Sequence, residues 1–208
     1  MDQMAVTFRL LPGLKWSDGE SLTAADSVYS YEVAAALGTS YLVARTQSYE
    51  AADEATVQWW GRPGFVDPTY MTNFFFPLPS HLWSSVPADQ LADSEAASLN
   101  PAGWGAYVIE ELDMGDHIRL VKNPYYFRAD EGLPKIDVLI FRFTPDPEAA
   151  VAALLAGECD VLDPSVPLDG QVAMLQSLEE QGQLDAQFVE SPLVEQLEIG
   201  RASCRERV

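Results

Sequence analysis

Residues 8–31 read FRLLPGLKWSDGESLTAADSVYSY, and this stretch decides the fold class of the chain. Apolar residues take every second position from Val6 to Leu10, a period of two that predicts a half-buried strand. Asp18-Gly19 is a turn pair, because glycine accepts a positive φ and aspartate can hydrogen-bond the local backbone. A short second strand follows the turn. Thr23 then stands at capping-box spacing from Asp26, which predicts that a helix begins at the next residue and ends near residue 36.

The same stretch fits the pattern F-x-L-x-x-G-x-K-W-S-D-G-E-x-L-T-A-x-D-x-V-Y-S, which resembles the signature segment of extracellular solute-binding protein family 5. Later segments resemble other parts of that family, in the same order. They are 100–107 (NPAGWGAY), 115–127 (GDHIRLVKNPYYF) and 133–162, which holds the L-P-K-I-D strand and the G-E-x-D unit. Together these segments span most of residues 5–198. The family comprises the dipeptide, oligopeptide and nickel receptors of ABC importers.

Composition narrows the class of protein independently. The 208 residues suffice for one or two domains with a hydrophobic core, and 48% of them are hydrophobic. The formal net charge of −20 argues against nucleic acid as a partner, since phosphates require a basic patch. No apolar run approaches the roughly 20 residues of a membrane span. The first residues lack the basic and apolar regions of a signal peptide.

The last ten residues, 199–208 (IGRASCRERV), differ from the rest in being rich in arginine. Their back-translation matches one frame of a sequencing-library adapter, so we expect them to be a non-biological tail; the alternative is a real basic tail. One cysteine remains outside this tail. It is Cys159, which lies in an apolar helix-to-strand turn and is expected to pack rather than react.

Periodicity and turn residues predict the order of elements after the opening unit. A polar stretch at 46–54 precedes a strand at 56–60, and the apolar segment 73–83 connects two lobes. Beyond it we expect a surface helix at 88–98, a hairpin of strands 107–112 and 117–122, and a strand at 138–143. The next expected element is a helix opened by Asp146-Pro147-Glu148 and ended by Gly157. It is followed by a strand at 160–162, a helix at 168–181 and a strand at 186–190. The segment 138–162 is thus expected to be a right-handed β-α-β unit.

The resemblance implies a mixed α/β fold of the periplasmic-binding-protein type II kind. Residues 1–75 correspond to part of the family's extra subdomain, and residues 76–198 correspond to most of the larger lobe. The second lobe, the signal peptide and the lipid-anchor cysteine have no counterpart here. We therefore expect the chain to be an incomplete fragment.

Patterns typical of enzymes and metal sites are absent from the sequence. The two histidines, His81 and His117, are far apart, and no H-x-x-x-H or C-x-x-C spacing occurs, so we expect no zinc site and no cofactor. His81 is expected to cap or pack locally, and His117 to be a solvated strand residue. Glu110 and Glu111 are adjacent on a strand and point to opposite faces, so they cannot act as an acid/base pair. We predict that the chain is not an enzyme; the alternative is an enzyme on a related fold whose catalytic residues lie in the missing lobe.

Candidate ligand-binding residues come from the resemblance alone. Tyr29 matches the tyrosine of V-Y-S, which faces the ligand in some relatives. Asp163 and Ser165 lie in the loop after G-E-x-D, which approaches the cleft in the family. Glu195 matches a glutamate that relatives carry after an aromatic residue, where this chain has valine. Trp104 is expected to pack on the hinge side, with ligand contact as the alternative.

The function implied is that of the substrate-binding component of an ABC importer for peptides. The expected partners are a small peptide or similar solute and the permease subunits of the importer, and the protein is expected to be a monomer. Its expected location is periplasmic or extracellular, as a lipid-anchored protein when full length. The alternatives are a ligand-sensing regulatory domain of the same fold, or a binding protein for an oligosaccharide or a metal chelate.

Overall fold

The computed structural model describes residues 2–38, 40–99, 101–163 and 165–186. The chain divides into two units, Met1–Phe143 and Thr144–Val208, and each is described by itself. The boundary that the sequence predicts near residue 75, between the extra subdomain and the larger lobe, is a different division of the chain and stays a prediction.

The first sheet of unit 1 has three antiparallel strands in the order β1-β3-β2. They are β1 (Ala5–Arg9), β2 (Thr46–Asp53) and β3 (Thr56–Gly61). Trp59 on the central strand stands between Val6 and Tyr49 and is fully buried. Strands β1 and β3 confirm the sequence prediction, whereas the polar stretch at 46–54 proves to be a strand as well. Two register shifts interrupt β2, so its buried residues do not alternate regularly and the period of two is hidden.

Helix α1 (Ala24–Leu37) begins where the capping pattern predicts. The Thr23 backbone N–H donates to the Asp26 carboxylate at 2.9 Å, and Gly38 ends the helix at a φ of 64°. Helix α2 (Tyr41–Arg45) leads into β2. The predicted short second strand after the turn is a single bridge between Lys15 and Ser21.

The main core of unit 1 lies between α1 and the first sheet. Its buried members come from the helix, from β2 and β3, and from the segment that follows the sheet; they are Ala24, Tyr49, Val57, Trp59 and Phe75. The aromatic rings of Tyr49 and Phe75 meet edge to face with centroids 4.9 Å apart. This packing fixes the segment after residue 73 against the helix.

Short helical turns precede and follow that segment. They are a 3-10 turn at Tyr70–Asn73, α3 (Ser80–Trp83), a 3-10 turn at Ala88–Asp93 and α4 (Glu95–Ser98). The predicted continuous helix at 88–98 is wrong. Ser94 has an extended backbone with ψ of 138°, which ends one turn and begins the next.

The second sheet of unit 1 is the predicted hairpin with one further strand. Strands β4 (Tyr107–Asp113), β5 (His117–Lys122) and β6 (Val138–Arg142) pair antiparallel in the order β4-β5-β6. Gly115, with a φ of 89°, makes the tight connection between the first two strands. A 3-10 turn at Ala129–Glu131 lies in the connection to β6.

Unit 2 contains α5 (Pro147–Leu155) and α6 (Val172–Glu180), and a 3-10 turn at Asp169–Gln171 precedes the latter. The Asp146 side chain accepts from the Ala149 N–H at 2.7 Å and caps α5 as predicted. The predicted strand at 160–162 is wrong: no described residue supplies it with a strand partner, so the β-α-β unit is not formed there. The strand expected at 186–190 lies outside the described residues, apart from Ala186.

Candidate functional site

The turn before α1 is held by hydrogen bonds among its own residues. The Trp16 N–H donates to the Glu20 carbonyl at 2.9 Å, and the Glu20 N–H donates to the Asp18 carboxylate at 3.1 Å. Gly19 has a φ of 93°, and a Cβ there would lie 2.9 Å from the Tyr125 ring, so only glycine fits without displacement. The turn therefore presents Asp18 in one orientation.

Asp26 is the buried polar centre of this region. It is 3% exposed, and its carboxylate accepts from the Thr23 N–H at 2.9 Å and the Trp16 indole N–H at 3.3 Å. The same carboxylate accepts from the Ser80 hydroxyl at 2.6 Å and the Ser80 N–H at 3.2 Å. One side chain thus joins the turn, the start of α1 and the start of α3.

Two serines on the buried face of α1 hold the segment that runs into α3. The Ser27 hydroxyl donates to the Phe75 carbonyl at 2.5 Å, and the Ser30 hydroxyl donates to the Phe76 carbonyl at 2.7 Å. These bonds satisfy carbonyls that lack a regular strand partner. The segment is consequently fixed alongside the helix, and Ser80 and His81, which follow it, lie next to the helix.

A groove of about 470 Å³ lies on unit 1 between α1 and α3. Small apolar, aromatic and polar side chains line it; they are Ala25, Val28, Tyr29, Glu32, Ala51, Ser80, His81 and Ser84. The groove is the candidate functional site of this unit, because apolar walls with a few polar groups are typical of ligand pockets.

Tyr29 is the predicted site residue that lies in this groove. Its hydroxyl is buried and has no hydrogen-bond partner among the described residues, which is unusual for a buried polar atom. Burial raises the pKa of Tyr29, and the negative charge of Glu32 raises it further. Tyr29 thus lines the groove, and its hydroxyl is a buried, neutral group.

His81 lines the groove and pairs with Asp18. The imidazole Nε2 lies 2.7 Å from the Asp18 carboxylate, and the ring tilts over Trp16 with centroids 6.1 Å apart. Burial raises the pKa of Asp18, but the hydrogen bonds from His81 and from the Glu20 N–H outweigh it and hold that pKa below its usual value. The expectation that His81 only caps or packs locally is wrong, because Asp18 is distant in sequence.

Trp104 lies elsewhere in unit 1, in the loop before β4. It is half-buried against a second buried cluster formed by Leu14, Trp16 and Leu22. The neighbouring Gly103 carbonyl accepts from the Ser17 N–H at 2.8 Å, which fixes this loop to the turn. Packing is thus the role seen for Trp104, and its contact with a ligand stays a prediction.

Asp163 and Ser165 belong to unit 2 and are exposed. The Ser165 N–H donates to the Asp163 carboxylate at 2.8 Å. The hydrogen bonds from the Ser165 hydroxyl and backbone N–H lower the pKa of Asp163 below its usual value. The two residues thus form a local turn, while Glu195 lies outside the described residues.

The hairpin turn holds the second histidine. His117 begins β5 and is partly exposed, and its Nδ1 lies 2.8 Å from the Asp116 carboxylate. The hydrogen bond to Asp116 is the main cause that raises the pKa of His117. Asp113, Asp116 and His117 offer three ligand atoms within 4.8 Å of one another, but exposed acidic groups of this kind are common without an ion.

Several groove residues were missed by the sequence reasoning. Glu32 stands one helical turn after Tyr29, so the i,i+3 spacing on α1 was an available signal. Ser80, His81 and Ser84 carry no such signal, since only the fold brings α3 beside α1. Across the described residues, none of the helices combines the length and apolar character needed to span a membrane.

Comparison with known proteins shows which family the sequence matches. The family model of bacterial extracellular solute-binding proteins, family 5 Middle, matches residues 1–198. An ABC transporter peptide-binding protein of Brucella ovis is 34% identical over 164 residues, which cover 76% of this chain and 30% of the relative. The oligopeptide-binding protein AppA of Bacillus subtilis is 30% identical over 162 residues, covering 74% of this chain and 29% of AppA.

Solved structures agree with the sequence relatives. AppA of B. subtilis, solved with a nonapeptide, matches with a TM-score of 0.65 at 28% identity, covering 74% of this chain and 31% of that one. The binding protein MoaA of A. tumefaciens R10, solved with mannopinic acid, matches with a TM-score of 0.68 at 27% identity, covering 86% and 35%.

These matches confirm the predicted mixed α/β fold of the periplasmic-binding-protein type II kind. The chain spans about a third of the length of the relatives that it matches. The matching family consists of solute-binding proteins, which are transport receptors rather than enzymes. The match covers nearly all of the sequence, and the chain therefore belongs to the bacterial extracellular solute-binding proteins of family 5.

Proposed function

We propose that this chain is part of the substrate-binding component of an ABC importer for peptides. The observation that carries the proposal is the family match over residues 1–198, joined by relatives whose names state peptide binding. The permease subunits of the importer are the proposed partners, and the proposed location is periplasmic or extracellular with a lipid anchor. The proposed receptor acts as a monomer and carries out no catalysis.

The proposed mechanism is enclosure of the ligand between two lobes. Main-chain hydrogen bonds to the peptide, with water in the side-chain pockets, allow varied sequences to bind. Tyr29 is the proposed contact with the best structural support, since it lines the groove and its hydroxyl has no hydrogen-bond partner among the described residues. Trp104, Asp163, Ser165 and Glu195 are proposed as further contacts on the strength of the family resemblance.

The test uses the product of the complete open reading frame that contains these residues. Isothermal titration with peptides of two to nine residues is expected to show binding. Tyr29→Phe removes one hydroxyl, and we expect it to weaken binding about three- to tenfold if that hydroxyl gains a ligand partner. Absence of binding to any peptide, with the protein folded by circular dichroism, contradicts the proposal.

A second candidate ligand is a sugar-derived acid. The observation in its favour is that MoaA, which matches this chain with a TM-score of 0.68, was solved with mannopinic acid. Titration of the same protein with mannopinic acid separates the two candidates. Binding of the sugar acid without binding of peptides favours this second function.

A further inference from the structure

The groove on unit 1 has a charge pattern that the family match does not explain. Glu32 lines it and is exposed, and His81, which also lines it, pairs with Asp18. Among the described residues that line the groove there is no lysine or arginine. Because His81 already pairs with Asp18, the negative charge that a ligand group meets in this groove is that of Glu32.

The walls are suited to an alkyl chain rather than to a compact ion. Ala25, Val28 and Ala51 supply small apolar surface, and Tyr29 adds an aromatic ring. Long basic side chains bury their methylene stems on such surface and keep the charged head at a polar rim. An aromatic ring beside the stem also attracts a nearby cation.

We propose that this groove binds the basic side chain of a lysine or arginine residue, with its stem along Ala25 and Val28 and its charged head beside Glu32. The proposal rests on the peptide-binding function proposed above, and it deepens that function by naming a side-chain class. The groove is then a subsite for a basic peptide side chain, and Glu32 determines its specificity.

The test compares two probes that differ in charge alone. N-acetyl-arginine amide carries a guanidinium, and N-acetyl-citrulline amide replaces it with a neutral group of nearly the same shape. Each probe is titrated into the 208-residue chain, and dissociation constants are read from the shifts of the backbone amides of residues 25–32 and 80–84 in nitrogen-15 NMR spectra. We expect the arginine probe to bind about three- to fivefold tighter, the effect of one exposed ion pair.

A matched pair of variants separates the subsite from the general attraction of an acidic chain for cations. Glu32→Gln and Glu179→Gln each remove one negative charge from an exposed position on a helix. The preference for arginine is expected to disappear in the first variant and to persist in the second. The proposal is overturned if the two probes have equal dissociation constants. It is also overturned if the two variants lose the preference for arginine to the same extent.

The outcome is distinguishable from failure of the proposed function. If the complete protein binds neutral peptides as tightly as basic ones, and Glu32→Gln changes neither, the subsite proposal fails and the peptide-binding function stands. If no peptide binds to the complete protein while the arginine preference of this chain persists, the peptide-binding function fails, and the groove is a site for a basic group without being a peptide subsite.

Discussion

Asp67 is a buried carboxylate whose negative charge is stabilised mainly by hydrogen bonds. Its side chain is 1% exposed and accepts from the Thr69 hydroxyl at 2.7 Å, the Thr69 N–H at 2.8 Å and the Asn73 amide at 2.8 Å. Arg45 adds an ion pair at 3.2 Å. The hydrogen bonds from Thr69 and Asn73, more than the charge of Arg45, lower the pKa of Asp67 from 3.8 to about 2.

This lowered pKa predicts a specific dependence of stability on pH. The charged form of Asp67 is more stable in the folded protein than in the unfolded chain. Its contribution to the stability of the fold is therefore complete above the unfolded pKa of 3.8. It is lost as the pH falls through 3.8 towards about 2. Urea unfolding of the unmodified chain and of Asp67→Asn, repeated across this range, is expected to show a difference in stability that narrows as the pH falls.

The control for this prediction is Asp130→Asn, at an exposed aspartate of a surface turn. Its difference from the unmodified chain is expected to stay small and nearly constant. A difference for Asp67→Asn that stays constant down to the lowest pH contradicts the assignment of the lowered pKa to Asp67.

At the scale of elements, helix α1 is fixed at its N-terminus by a long-range network rather than by a local cap alone. Asp26 closes the local capping pattern with Thr23 and also accepts both hydrogen bonds from Ser80. The position of the groove therefore depends on this carboxylate, because α1 and α3 form its two sides.

Replacing Asp26 with asparagine tests this network. The amide keeps one acceptor but turns an N–H₂ group towards donors, so at least one buried donor loses its partner. We expect the free energy of unfolding to fall by about 2 kcal/mol, as measured by urea denaturation. Asp89→Asn, at an exposed position, is the matched control. A loss equal to that of the control shows that the network does not hold the helix.

At the scale of the whole chain, the two units differ in how much apolar surface they bury. The described residues of unit 2 contain three buried hydrophobic side chains, Ala150, Val151 and Leu175, whereas those of unit 1 contain Trp16, Val57, Trp59 and others in two clusters. Since burial of apolar surface is the main source of stability, unit 2 is expected to be the less stable of the two.

Two spectroscopic probes test this difference in one urea titration. All five tryptophans lie in unit 1, so fluorescence reports on that unit, whereas far-ultraviolet circular dichroism also reports on α5 and α6 of unit 2. We expect part of the helical signal to be lost before the fluorescence changes. Coincident transitions indicate a single cooperative unit and contradict the prediction.

The elements that were predictable from the sequence are those with strong local signals. The alternating apolar residues of β1, the capping residues of α1 and α5, and Gly115 in the hairpin turn all act within a few residues. Strand β2 was missed because its register shifts break the alternation. The strand expected at 160–162 failed because a strand requires a neighbour, and periodicity does not supply one.

The candidate site was predictable only in part, for the same reason. Tyr29 was found through a motif that lies within one helix. The pairing of Asp18 with His81 and the bonds from Ser80 to Asp26 join positions far apart in sequence, so no local pattern indicates them.

By itself the sequence determined the family and the opening βα unit of this protein, because turn, cap and alternation are local and the family motifs are contiguous. Only the tertiary structure decided that Glu32, Tyr29 and His81 share one groove. That groove exists because a buried carboxylate and two serine hydroxyls hydrogen-bond to the backbone of a segment that packs against helix α1. Side chains distant in sequence meet only where such long-range hydrogen bonds and core packing bring them together.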